Sequence, residues 1–427
     1  MLLIKNAKII TLEETDYECA DILIKNGRIA KIGKDISSED AEKFDAAGLT
    51  AIPGIVDSHC HIGMWEDGID QEGADGNEST EPITPELRAI DAINPLDRCF
   101  EEAREGGVTT VVTGPGSSNV IGGQFCAMKT AGVCVDEMVI KAPAALKMAL
   151  GENPKGVYGE QKKAPSTRMA TAALMRAAFI EAQEYQKDRE SEDGAARDLK
   201  YEILVSALKR EIPVKVHAHR ADDIMTAIRI AKEFDLDLSI EHCTEGHLIP
   251  EYIKRSGARV ILGPLLSDRC KPELKNQSLE APRILYENGI EFALMSDHPV
   301  QITQNLLMTA AVCVRYGLPE RAALESITIN AAKACRIEDR VGSLAEGKDA
   351  DIVLFAGDPL DVRTRIEAVF TSQVTVVSDM QTHCLDRRSH SRQGILLVIV
   401  LAEQYLVIIK RNYLLIAILD ILAVIHL

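Results

Sequence analysis

The sequence predicts an α/β protein: a parallel barrel of strands and helices carrying a small β-sandwich assembled from both chain ends. Three observations predict it. Strand-like apolar runs alternate with helix-like segments through the middle of the chain, the pattern of parallel β/α units. Four of the runs end in histidine or aspartate clusters, PGIVDSHCH, VKVHAHR, SIEHC and LMSDHP, and a parallel barrel collects catalytic groups at the C-terminal ends of its strands. Two β-rich pieces flank this region, one on each side.

Taken in order, residues 2–33 hold two β segments, LLIKNAKII and ADILIKNGRIAKIG, and Asn26-Gly27 gives a hairpin signal in the second. VGSLAEGKDADIVLF, at 341–355, is the other β-rich piece. Neither buries a face alone, so the two are expected to pack together. The domain reading is 1–52 and 336–377 for the sandwich, 53–335 for the barrel and 378–427 for an atypical apolar tail. Inside the barrel TTVVTGPG, EMVIKAP, PVKVHAH, DLSIEHC, ARVILGP and EFALMSD are the strands. NPLDRCFEEAREGG, residues 168–187, ADDIMTAIRIAKEF and SLEAPRILYENG are the helices, and QKDRESEDGAARDLK reads as a solvated insertion.

Residues 66–81 carry seven acidic side chains and no basic one directly after the first histidine pair. As the first βα loop they overhang the strand ends, either as a lid or attractor for a cationic group or as a merely solvated loop. TGPGSSNVIGGQ, after the second strand, is rich in glycine and small polar residues. It reads either as a loop whose N–H groups approach a ligand or as a plain strand-to-helix turn.

With 427 residues and 46% apolar content, the chain can bury a large core and still supply a smaller second unit. A net charge of −17 argues against nucleic acid and anionic lipid, which leaves a small-molecule substrate, neutral or cationic. Ten cysteines without a C-x-x-C pair suit a reducing compartment, so a cytoplasmic protein is expected, with a homo-oligomer as an option. MLLIKNAKII is interrupted by Lys5 and Lys8 and does not read as a signal peptide.

Residues 378–427 begin polar and unpatterned, then give two apolar runs split by Lys410 and Arg411 and containing Glu403 and Asp420. Each is shorter than the ~20 apolar residues of a spanning helix. A membrane-associating hairpin over 395–427, an added packing or oligomerisation element, and a tail translated out of the ancestral frame are the three readings. The last is the expectation, because the break is abrupt and falls inside an expected strand.

His59 and His61 are one residue apart at a strand end, so the two-residue period points both to one face. His217 and His219 repeat the arrangement, His242 ends a further run, and Asp297 ends the last. Singly, each histidine reads as an ordinary core or surface residue; four clusters at four strand ends point to a divalent metal, for which imidazole and carboxylate are suitable ligands.

P-G-x-x-D-x-H-x-H, H-A-H, E-H-C, S-D-H-P and the closing TINAAKACRIEDRVGSLAEGKDADIVLF together resemble the amidohydrolase superfamily, in particular its imidazolonepropionase-related branch, over about residues 1–370. The resemblance implies a distorted (β/α)8 TIM barrel with a β-sandwich. It implies metal ligation by His59 and His61 from the first strand, His217 from the fifth, His242 from the sixth and Asp297 from the eighth. His219 shares the face of His217. Many members bind a second ion through a carboxylated lysine of the fourth strand, and others use a glutamate. Lys147 fits that position, with Glu152 the alternative and Lys141 a third, so one or two ions, most simply zinc, are expected.

The expected chemistry is hydrolysis of a carbon–nitrogen bond (non-peptide amide, cyclic amide or amidine type) by metal-activated water. Asp297 moves the proton, and His242 or His219 stabilises the oxyanion. A dipeptidase or deacetylase is the alternative within the hydrolases. A non-catalytic barrel scaffold is the alternative outside them, although such proteins lose ligands and here the ligand positions all stand.

Overall fold

Eight strands make the barrel wall in chain order: Ile55–Cys60, Val108–Thr113, Ile121–Lys129, Val139–Ala149, Val214–Ala218, Leu238–His242, Arg259–Leu262 and Phe292–Leu294. The computed structural model describes residues 1–377 apart from 68–69, 192–193, 195 and 373–374. The tail at 378–427, with the readings attached to it, lies outside the described residues. The first two strands pair in parallel, as do the fourth to the eighth. Every residue of the first, second, fifth and sixth strands is buried, which is why they read as continuous apolar runs.

The third strand departs from the parallel expectation, running antiparallel to both its neighbours. Residues 114–120 are too few for the crossover of about a dozen residues that a parallel pair needs, so the chain folds straight back. IGGQ therefore begins a strand instead of ending the glycine-rich loop. The seam between the first and eighth strands is closed by single contacts: Ser58 Oγ donates to the Leu294 carbonyl (3.0 Å), and the Asp297 N–H to the His59 carbonyl (3.0 Å). Asp57 accepts from the N–H (3.2 Å) and hydroxyl of Ser296 and from Thr303 Oγ1 (3.2 Å).

The expected helices are present as Arg98–Glu105, Arg168–Arg189, Ala221–Phe234 and Ala281–Glu287. A further helix, Leu199–Leu208, starts at the end of the charged stretch read as an insertion. Asp198 caps it, accepting from the Lys200 N–H at 2.8 Å, and Ile203, Leu204 and Ala207 are its buried side.

The segments on either side of the barrel, 2–53 and 352–377, share one eight-stranded sheet. Thr50–Pro53 joins them, pairing antiparallel with Ile352–Phe355 and parallel with Leu2–Ile9. Their common core includes Ile4, Ile22, Ile352 and Phe370, with Phe44 edge-on to Phe370 at 5.5 Å. Asn26 and Gly27 turn the hairpin with φ of 52° and 71°, the left-handed pair a two-residue loop needs. Ile52, Val353, Phe355 and Val369 pack with Leu324 of a barrel helix. Beneath the barrel, buried Lys129 lies 2.5 Å from Asp351 and 3.0 Å from Asp349. Among the described residues nine cysteines are free, and no helix is long and apolar enough to cross a membrane.

Candidate metal centre

The C-terminal strand ends bring seven of the expected residues to one place. His59 lies on the first strand and His61 just beyond it; Lys147 is on the fourth, His217 on the fifth and His219 just beyond it, His242 at the end of the sixth and Asp297 three residues past the eighth. Asp297 Oδ1 is 3.2 Å from His61 Nε2 and 3.5 Å from His59 Nε2, and Lys147 Nζ is 3.2 Å from His59 Nε2. Ligand atoms of His59, His242 and Asp297 fall within 4.8 Å of one another, as do those of His217, His219 and His242. Glu152 stands apart as the first residue of helix Glu152–Glu160, and neither group includes it. Lys141 is remote, its ammonium donating to the Arg336 carbonyl at 3.0 Å.

Backbone carbonyls set the tautomers. His61 Nδ1 is 2.7 Å from the Gly114 carbonyl and His242 Nδ1 is 3.0 Å from that of Gly263. A carbonyl only accepts, so each Nδ1 carries the proton and each Nε2 keeps its lone pair for a ligand. Glu241, fully buried, places Oε2 2.7 Å from His59 Nδ1 and 3.0 Å from Lys215 Nζ, and accepts from Ser239 Oγ at 2.6 Å. Of these contacts only the one from Ser239 is a hydrogen bond; the carboxylate sits beside the His59 ring without fixing its proton. Burial, aided by nearby lysines and histidines, holds His59, His217, His219 and His242 well below the usual imidazole range. The rings are therefore neutral, the form that binds metal. Burial likewise pushes Lys147 down to about 8, against the pull of Asp297 and Glu241. In Asp297, burial works to raise the carboxyl, but the neighbouring His61, His59 and Lys147 side chains outweigh it and hold the group below its ordinary value.

A divalent ion fits this donor set. His217 is 2% exposed and neither of its nitrogens makes a hydrogen bond. Leaving buried polar atoms unpaired costs about 1–3 kcal/mol each, and an ion held by His217 and His242 would remove it at one of the two His217 nitrogens.

One backbone feature builds the site. His242, Cys243 and Asp297 adopt φ of 67°, 49° and 55°, a region that L-residues seldom enter. At His242 this breaks strand alternation, so adjacent Glu241 and His242 both reach the centre. Sequence reasoning missed Glu241 for that reason, and it missed Lys215 although the two-residue period puts it on the face of His217. It also missed Glu273, fully buried in the loop after the seventh strand, with Oε1 3.6 Å from Nε2 of both His217 and His219. No local pattern announces that residue.

The acidic loop begins at the site, with Trp65 5.1 Å from the His61 ring, and its far end is fastened down. Tyr158 Oη donates to the Glu81 carbonyl (2.7 Å), Gln161 Nε2 to that of Ser79 (2.8 Å) and Lys163 Nζ to that of Thr80 (2.8 Å).

Residues 50–381 match the model of the amidohydrolase family. Amidohydrolase tasK of Hapsidospora irregularis is 32% identical over 374 residues, which is 80% of this chain; the chain spans only 38% of that relative's length. An imidazolonepropionase of Thermoplasma volcanium is 25% identical, with 81% of this chain and 86% of the relative covered. Among solved structures, an amidohydrolase from Thermotoga maritima MSB8 superposes with a TM-score of 0.86 at 43% identity, covering 88% of this chain and 99% of that one. With the barrel and its inward histidines already in view, the match over most of the chain leaves one conclusion: the protein belongs to the amidohydrolase family of hydrolases acting on carbon–nitrogen bonds.

Proposed function

We propose that the protein hydrolyses a non-peptide amide, cyclic amide or amidine-type bond of a small molecule at a zinc centre of two ions. The observation that carries this reading is the unpaired, buried His217 between donors that have their lone pairs free. His59, His61 and Asp297 would hold one ion, His217 and His242 the other, and Lys147 would bridge them as a carbamate. Its amine, brought to about 8 by burial, is available in the neutral form that carboxylation requires. The all-nitrogen-and-oxygen donor set suits zinc. When bound, the metal supplies Lewis acidity and lowers the pKa of water toward neutrality.

The chain's own groups do the rest. Asp297, ionised and only 13% exposed, accepts the proton of the attacking water at its carboxylate and returns it to the leaving nitrogen. His242 has its proton at Nδ1, committed to Gly263, so its Nε2 serves as a ligand. His219 differs: Nδ1 lies 2.8 Å from the Thr244 hydroxyl, which can donate, leaving an Nε2–H to stabilise the oxyanion. The free cysteines suit a reducing, cytoplasmic setting. Metal analysis together with a screen of cyclic amides, N-acyl amino acids and dipeptides tests the reading. Asp297→Asn should keep its fold while turnover falls by at least ~10²-fold; undiminished metal-dependent hydrolysis would remove Asp297 from this role. Lys147→Ala should bind one ion fewer than the parent.

A further inference from the structure

Glu273 is a carboxylate in the centre that neither the ligand motifs nor the proton-transfer scheme uses. It is 1% exposed, in the single turn Pro272–Leu274 that follows the seventh strand. Its two oxygens face opposite ways. Oε2 accepts from the Glu152 N–H at 3.2 Å and is accommodated by Gly151: a Cβ there would stand 2.7 Å from it, and the φ of 84° at Gly151 already favours glycine. Oε1 is turned into the centre, 3.6 Å from Nε2 of His217 and 3.6 Å from Nε2 of His219. It makes no hydrogen bond, although the Lys271 ammonium lies 2.8 Å away.

The spacing is that of donors sharing an ion. Bonds of about 2.0–2.2 Å place two ligands of one tetrahedral zinc roughly 3.3–3.6 Å apart, and His217 Nε2 to Glu273 Oε1 meets this. A carboxylate held only for charge balance with Lys271 has no reason to be buried against two neutral imidazoles. Gly151 and the Glu152 N–H hold the carboxylate in place from behind, so its position is built by the fold.

We propose that Glu273 is an internal carboxylate ligand of the centre, filling the coordination position beside His217 that faces His219 and Lys271. It rests on the two-ion reading above. The consequence is a resting centre closed by its own side chain. A substrate oxygen arriving between His217 and His219 displaces Oε1, and Lys271, already in contact, takes the freed carboxylate.

Cobalt(II) substituted into the full-length protein gives a test that does not depend on turnover. The visible ligand-field spectra of the parent, Glu273→Gln and Glu273→Ala are compared with and without millimolar acetate. Glu273→Gln keeps an acceptor for the Glu152 N–H and so preserves the loop. The expected result is a changed spectrum in both variants, with acetate restoring the parental spectrum in Glu273→Ala and leaving the parent unaffected. Spectra identical to the parent overturn the proposal while the metal-centre reading stands. A changed spectrum that acetate does not move also overturns it, since a lost prop then accounts for the change. A parent chain that binds no cobalt overturns the metal-centre reading itself, and this inference with it.

Discussion

Replacing Lys129 by Met keeps the aliphatic stem and removes the charge, and the structure says what that should cost. Lys129 is 1% exposed at the end of the third strand and touches two carboxylates that are themselves 2–3% exposed. Asp349 would keep Arg340, which reaches it at 2.8 Å. Asp351 would keep only the hydroxyls of Thr109 and Thr110, at 3.3 and 3.4 Å, and the Ser372 N–H at 3.2 Å. The change therefore orphans one buried charge, not two. Breaking a buried pair from one side costs about 3–5 kcal/mol, and with one carboxylate still paired the lower end, about 3 kcal/mol, is expected. Adding Asp351→Asn removes the orphan, so the double variant should return to within about 1 kcal/mol of the parent. Urea denaturation, followed by the single tryptophan, Trp65, and by circular dichroism, gives all four corners of the cycle. A Lys129→Met cost under about 1 kcal/mol, or a double variant no more stable than the single, would refute the argument.

Two further outcomes follow from the same reasoning. Gly151→Ala meets both a left-handed backbone and the Glu273 carboxylate, so it should destabilise the protein by about 1–3 kcal/mol and weaken metal retention; a thermal melt and metal analysis check both, and a silent substitution would contradict the fit. The Asp349 carboxyl feels burial, which raises it, but the Arg340 hydrogen bonds and the Lys129 charge prevail and hold it below its ordinary value. A depressed carboxyl stabilises the fold above the unfolded value of about 3.9 and loses that contribution as pH falls through the folded one. Arg340→Met should therefore lower the melting temperature at pH 7 and differ little from the parent in strong acid; an equal gap at both pH values would exclude this linkage.

The histidine clusters were legible because their order in the sequence repeats their order around the barrel. His59 with His61, and His217 with His219, obey the strand period, so counting residues sufficed. What escaped was set by contacts between distant segments or by backbone that departs from the period. Glu241 was hidden by the left-handed turn at His242 and Glu273 by a loop with no pattern of its own. The reversed third strand was disguised because Gly122 and Gly123, which continue a glycine-rich loop in sequence, lie inside the strand. The helix Leu199–Leu208 was obscured by the charged run that leads into it.

The left-handed backbone at His242, Cys243 and Asp297 bears on how this protein can change. Residues held there cost of order 1–3 kcal/mol each, a load that the buried strands around them must carry. Asparagine tolerates that region as aspartate does, so the exchange at 297 that should silence turnover carries no added backbone cost. Stability and activity thus pull in opposite directions at the strand ends. A lineage released from the need for catalysis would be expected to lose these residues first, drifting toward a sturdier and inert barrel.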